Sequence, residues 1–389
     1  MSSRAGVNPR NQTSKPRFSL FSVRVGGIDL TFLILVLLLL TIGLVMLFSA
    51  SYADAYYKKG GDSFYFISRQ VVFAIMGVAL MFIISTLNYK MLENMAWPIF
   101  FGTLALLVVV LFFQGRSRRW IDLGFITFQP SEIAKFSVVI LFAHLINVMY
   151  DKMHTFRHGI MPFVGVLGVV GALMMAEPHL SGTLIILAIG AIMMIVGGAN
   201  LKWFGIAAIV GVCGLAVVVM IPGVINYAGD RVQTWLDPWA DPQGDGFQVI
   251  QSLYAIGSGG LMGTGIGASR QKYLYLPEPQ NDYIFSIVCE ELGFVGATLI
   301  IILFALLVWR GFVIGMRCRD RFGSMVAVGL TSQVGLQTIL NIMVITNTIP
   351  STGISLPFFS AGGTALIMLL CEMGVILAIS RETTMEKAA

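Results

Sequence analysis

Charge is in short supply in this 389-residue chain: Asp, Glu, Lys and Arg together make up 12% of it, against 57% hydrophobic residues. With a mean hydropathy of +0.84, that shortage of polar surface excludes a water-soluble globular fold and leaves a polytopic membrane protein. Cysteine is scarce too. Cys213, Cys289, Cys318 and Cys371 lie in or beside apolar segments, with neither C-x-x-C spacing nor a cluster, so they hold no metal and read as small apolar side chains. The net charge of +5 could attract nucleic acid, yet the basic residues form no stripe with interleaved aromatics, which excludes that partner. The run from Gly257 to Gly267 has G-x-G spacing but follows no strand and opens no βαβ unit, so it is no dinucleotide fingerprint. In a membrane protein such a run instead permits close backbone approach or a re-entrant turn near a ligand.

Long apolar runs are what the chain does have. The first, Ile28 to Ala50, exceeds the roughly 7–15 residues of a cleaved secretory segment and suits a spanning helix of about 20. Windowing the whole chain predicts an all-α polytopic integral membrane protein of about ten transmembrane helices, at 28–51, 68–87, 95–113, 132–150, 160–176, 180–198, 203–222, 283–309, 324–348 and 363–380. Placing the N- and C-termini in the cytoplasm puts most of the basic residues inside, among them Arg17, Arg24, Lys152, Arg317, Arg319, Arg321 and Arg381. The organisation expected is a disordered cytoplasmic tail over 1–24, a membrane domain over 25–381 with a large extracytoplasmic loop over 223–282 between the seventh and eighth spans, and a cytoplasmic tail over 382–389.

Several polar residues sit where spanning alone would not put them. Arg116, Arg118 and Arg119 precede the fourth span, and Arg270 and Lys272 precede the eighth, which invites an anionic ligand on the outer face or lipid phosphates there. In Gln129-Pro-Ser-Glu-Ile-Ala-Lys135, Pro130 fits a first helical turn, Gln129 or Ser131 could cap it, and Glu132 suits the positive end of the helix. Lys135, three residues on, either pairs with Glu132 or points into a polar cavity. Trp120 beside Arg119 adds an interfacial aromatic to planar phosphate donors. Asp282, at the mouth of the eighth span, follows Pro277 and Pro279 and precedes Tyr283 and Phe285, which suit the membrane interface. It could cap that helix or, beside Arg270 and Lys272, abstract a proton. Glu290, Glu291 and Glu372 are costly within a bilayer and need partners, for which Gln333, Gln337 and Asn341 are available. The loop from Asn347 to Gly363, which includes Ser355, offers hydroxyls and amides to a sugar or pyrophosphate. A short amphipathic helix is expected near 248–256.

Four of these segments, in this order, are similar to motifs of the SEDS family (shape, elongation, division and sporulation), in particular its FtsW and SpoVE branch. They are the Arg-Trp-Ile at 119–121, Gln129 to Lys135, Gln271 to Asp282 with Glu290-Glu-Leu-Gly293, and Gly353-Ile-Ser-Leu-Pro-Phe. The resemblance implies a peptidoglycan glycosyltransferase that polymerises lipid II into β-1,4-linked glycan at the outer face of the cell membrane. It works with a class B penicillin-binding protein and other division or sporulation membrane proteins. It makes Asp282 the essential carboxylate, Arg119, Glu132 and Lys135 cavity residues, and Arg270 and Lys272 further cations for the pyrophosphate. A divalent cation, magnesium or manganese, is an open addition, and no organic cofactor is expected. Three positions depart from the family pattern: His179 where an acid is usual, Asn281 where threonine is usual, and Ala361 where tyrosine is usual. The rival readings are a lipid II flippase, which needs polar residues through the full depth, and a non-catalytic division scaffold, in which Asp282 would be dispensable.

Overall fold

A computed structural model describes residues 27–112, 121–122, 127–177, 179–205 and 233–385. Apart from a two-stranded ribbon, β1 (Ile121–Asp122) paired antiparallel with β2 (Thr127–Phe128), its regular structure is helical. Nine long apolar helices are α1 (Leu30–Lys58), α2 (Tyr65–Thr86), α3 (Ala96–Phe112), α4 (Pro130–Met149), α5 (Met161–Ala176), α6 (Leu180–Val196), α8 (Ile284–Arg317), α9 (Arg321–Ile345) and α10 (Gly363–Met385). A shorter amphipathic helix, α7 (Phe247–Ser258), lies within the long loop, where one was expected. Among the described residues, seven helices are long and apolar enough to cross a membrane, and α3 and α6 are shorter apolar helices. Helices among the described residues thus lie at nine of the ten positions anticipated for spans, seven of them of spanning length. Most of the one at 203–222, the tail over 1–24 and the extreme C-terminus lie outside the described residues, although α10 itself continues past Arg381.

Side chains explain the helix ends. Asp29 caps α1 by accepting from the Phe32 N–H at 3.0 Å, and its carboxylate also takes a two-nitrogen grip from Arg310 at 2.6–3.0 Å. Asp320 caps α9 through the Gly323 N–H at 3.1 Å. α1 outruns its apolar stretch and reaches Lys58, because Asp54 pairs with Lys58 at 2.6 Å one turn on and is buried.

Small residues bring the helices close. α2 lies along α10, where a side chain at Gly374 would come within 2.7 Å of the Met81 carbonyl. On α1, a Cβ at Gly43 would stand 2.4 Å from the carbonyl of Phe358. That gap lets the loop before α10 dip into the bundle and bury Phe358 and Phe359.

α8 is not one continuous rod. At Gly293 the backbone turns to φ 67°, ψ −171°, a conformation open only to glycine, and the helical ladder breaks. The glycine-rich loop fills the break. Thr264 and Gly265 donate their N–H groups to the carbonyls of Glu290 and Glu291, at 2.9 and 3.0 Å. Phe294 and Val295 in turn donate to the carbonyls of Gly260 and Leu261, at 2.9 and 3.1 Å. Side chains at Gly259, Gly263 or Gly293 would each come within 2.2 Å of facing backbone. The close approach expected of this loop is thus toward the broken helix, and it leaves every freed peptide group named here with a partner.

Candidate functional site

Helix α4 starts with Gln129 extended and Pro130 in the first turn, as its sequence suggests, but neither Gln129 nor Ser131 makes the capping bond open to it. Glu132 and Lys135 form an ion pair at 2.8 Å, with Lys135 only 3% exposed. The pair also lines a cavity of about 1140 Å³, so both roles open to Lys135 are realised together.

Asp282 stands on the same cavity, half-buried, on a segment tied down from three sides. The Asn341 side-chain amide of α9 donates to the carbonyls of both Asp282 (2.7 Å) and Ile354 (2.6 Å). Gln280 donates its amide to Asp54 of α1 at 3.0 Å, while its own carbonyl accepts from the Ala361 N–H at 2.8 Å. Gly353 makes room for the carboxylate: it sits at φ +67°, and a Cβ there would lie 3.1 Å from Asp282 Oδ2. Helix α8 begins at Ile284 with Tyr283 at its cap position and no side-chain capping bond, so Asp282 does not take the capping role. Tyr283 and Phe285, anticipated at the membrane interface, are instead buried at 3% and 2% exposure because the turn before α8 aims them into the bundle. Burial, followed by the neighbouring Asp282 charge, pushes the Tyr283 phenol well up.

Ser355 lines the cavity as expected, as do Asn281, Ala361 and His179, the three departures from the family pattern. Sequence reasoning missed Lys59, Arg69 and Gln70. Lys59 and Arg69 both lie over the Tyr65 ring, at 4.9 and 4.2 Å, which holds two cations at the cavity wall. Gln70 donates to the Ser360 carbonyl at 3.3 Å and accepts from the Gly362 N–H at 3.2 Å, fastening the loop before α10. The available signal was Ser68-Arg-Gln70 interrupting the start of an apolar helix.

Lys272 and Arg270 are not brought to the cavity. Lys272 is 3% exposed and pairs with Glu291 at 3.0 Å, while also donating to Ser49 Oγ and the Gly267 carbonyl. Arg270 is exposed, and its backbone N–H donates to Glu290 at 2.8 Å. The reason is the broken helix: it folds the loop against Glu290 and Glu291, which therefore find partners in Ser49, Ser269 and Lys272 and not in α9. Glu372 alone takes the partner foreseen, Gln333. Arg119 and Trp120, with Arg116 and Arg118, lie outside the described residues. Among the described residues, no three His, Cys, Asp or Glu side chains gather as a metal cluster. The cavity carboxylates Asp282 and Glu132 are oxygen donors of the kind that share a hard divalent cation with a phosphate ligand.

Residues 29–385 match the family model described as cell cycle protein, FtsW, RodA and SpoVE. The chain is 42% identical over 358 residues to stage V sporulation protein E of Bacillus subtilis, covering 91% of this chain and 97% of that one. It is 37% identical over 375 residues to a probable peptidoglycan glycosyltransferase FtsW of Geobacter sp. strain M18, covering 94% and 100%. Among solved structures it superposes with TM-score 0.75, at 28% identity and over 92% and 98% of the two chains, on a chain from a peptidoglycan synthase complex described as coordinating polymerization and crosslinking. The rod shape determining protein RodA of Thermus thermophilus gives TM-score 0.67 at 26% identity, over 92% and 97%.

Proposed function

The chain belongs to the FtsW, RodA and SpoVE family of cell cycle proteins, and from that premise we propose that it is a peptidoglycan glycosyltransferase polymerising lipid II at the outer face of the cytoplasmic membrane. The observation that carries the reading is Asp282, held through its own backbone on the wall of a polar cavity that also contains the Glu132–Lys135 pair. A cavity this size, sunk into a membrane bundle, suits a head group whose tail stays in lipid.

In the reaction, Asp282 accepts the proton of the acceptor sugar's 4-hydroxyl as that oxygen attacks the anomeric carbon of the donor. The bond from that carbon to the pyrophosphate oxygen breaks, a β-1,4 link forms with inversion, and undecaprenyl pyrophosphate leaves with the bonding pair. The proton on Asp282 then passes to solvent. The charge growing on the leaving group is met by cavity cations, of which Lys135, Arg69 and Lys59 are described. Arg119 remains a further candidate on family grounds. Magnesium or manganese, if bound at Asp282 or Glu132, would supply additional positive charge at the pyrophosphate. Arg270 and Lys272, engaged with the loop and Glu291, are assigned no part in binding. A class B penicillin-binding protein and other division or sporulation membrane proteins are the partners this reading supplies.

The test is polymerisation of purified lipid II by the detergent-solubilised protein with its cognate transpeptidase, wild type against Asp282→Asn. Polymer from wild type alone supports the assignment. Equal polymer from both removes Asp282 as base, and none from either, with a folded partner, favours a flippase or scaffold.

A further inference from the structure

Gln333 sits mid-way along α9, 2% exposed, and still lines the cavity. Its side-chain nitrogen is committed: it donates to both carboxylate oxygens of Glu372, at 3.1 and 2.9 Å. Glu372 is 1% exposed and stands behind Gln333, away from the cavity lining. Both Glu372 oxygens lie within reach of that one nitrogen, so the amide turns its N–H end to Glu372. The other end, Gln333 Oε1, is buried with no hydrogen-bond partner among the described residues. Ser131 Oγ is in the same condition: it belongs to a residue 1% exposed that lines the same cavity, and it has no partner among the described residues. Buried polar atoms in a folded chain are ordinarily paired, and two unpaired ones on residues that line one cavity point to a partner that comes with a ligand.

We propose that Gln333 Oε1 and Ser131 Oγ form a hydrogen-bonding subsite for the sugar head of the lipid-linked substrate, accepting an acetamido N–H or a ring hydroxyl. Glu372 is the positioning residue that keeps the Gln333 oxygen turned toward the cavity. The proposal rests on the glycosyltransferase reading and adds to it a recognition element separate from the reacting atoms. It also accounts for a carboxylate buried in a spanning helix, where an apolar residue would cost less but would leave the amide free to turn over.

Steady-state polymerisation of lipid II with the cognate transpeptidase tests this. The informative variant is the double replacement Gln333→Leu with Glu372→Leu, which removes the Gln333 acceptor from the subsite without leaving its buried partner unmatched. It is expected to raise KM about tenfold, the worth of a lost hydrogen bond, with kcat within about threefold of wild type. Glu372→Gln, which keeps the volume and lets the facing amides settle either way round, is expected to raise KM about threefold. It carries the test if the double variant cannot be recovered folded. Lipid II analogues identify the donor: one with acetoxy in place of acetamido, or one lacking a ring hydroxyl, is used less well than lipid II by wild type but equally well by the double variant. A folded double variant with KM within twofold of wild type overturns the subsite, as does a loss confined to kcat, or a raised KM with both analogues still penalised. Those results with Asp282→Asn inactive strike the subsite alone, whereas an active Asp282→Asn strikes the glycosyltransferase reading itself.

Discussion

Two groups of acidic residues sit inside this bundle, and they differ in what they leave undone. Around Glu290 and Glu291 the polar atoms close on one another: Ser49 Oγ lies 2.7 Å from both oxygens of Glu291, Lys272 pairs with it at 3.0 Å, and Ser269 and the Arg270 N–H take up Glu290. Around Asp282, Glu132 and Glu372 the groups line or back a large cavity, and Ser131 Oγ and Gln333 Oε1 are left unmatched among the described residues. A buried charge that is fully matched holds structure together, while polar atoms kept open toward a cavity are kept for something that enters it. The same residue types in the same kind of helix thus carry different duties, and the tally of hydrogen bonds distinguishes them.

The largest effect expected on this contrast is at the open group. Asp282→Asn should lower lipid II polymerisation by about 10²–10⁴-fold, the span typical of a lost general base, with an unchanged thermal midpoint in detergent. Lys272→Met should do the reverse. Stranding Glu291 should cost about 3–5 kcal/mol of stability, read as a lower thermal midpoint, while polymerisation falls only with the folded fraction. A large activity loss in fully folded Lys272→Met protein would put that lysine back with the substrate cations.

Smaller effects sharpen the geometry. Gly353→Ala forces a Cβ to 3.1 Å from Asp282 Oδ2, inside ordinary van der Waals contact, at a positive φ. It should cost about 1–2 kcal/mol of stability and cut polymerisation several-fold by displacing the carboxylate, and single-turnover rates would measure this. Tyr283→Phe should change almost nothing. The phenol hydroxyl is buried without a hydrogen-bond partner among the described residues, so its removal should alter stability by no more than about 1 kcal/mol. Because the folded-state pKa of Tyr283 is raised, any stability it contributes is complete below its ordinary value near 10 and lost only above it. The pH–rate profile below pH 9 should therefore superpose on that of wild type.

The spans were legible because apolar runs long enough to cross a bilayer admit few other readings, and the start of α4 was legible because Pro130 and Glu132 are local signals. Asp282, Glu132, Lys135 and Ser355 were found in the sequence, and the cavity unites them. Lys272 was not placed correctly, because its partner lies on the far side of a loop and proximity in sequence to Asp282 says nothing about where a four-carbon stem turns. Arg69 was passed over because one cation at the edge of an apolar run resembles an interfacial anchor until Tyr65 is seen beneath it. The break in α8 was missed because windowing reads 283–309 as one run and a single glycine does not divide it.

That break also sets what the membrane can do to the site. A long span tilts or bends when bilayer thickness changes. In α8 the loop is bonded to both sides of the break, to Glu290 and Glu291 before it and to Phe294 and Val295 after it, and Asp282 just ahead is held by Asn341. Gly293 is thus a spliced joint and not a loose one: the loop carries the load across the gap in the helix, and Asp282 keeps its place through cross-ties to its neighbours instead of through the continuity of the rod beneath it.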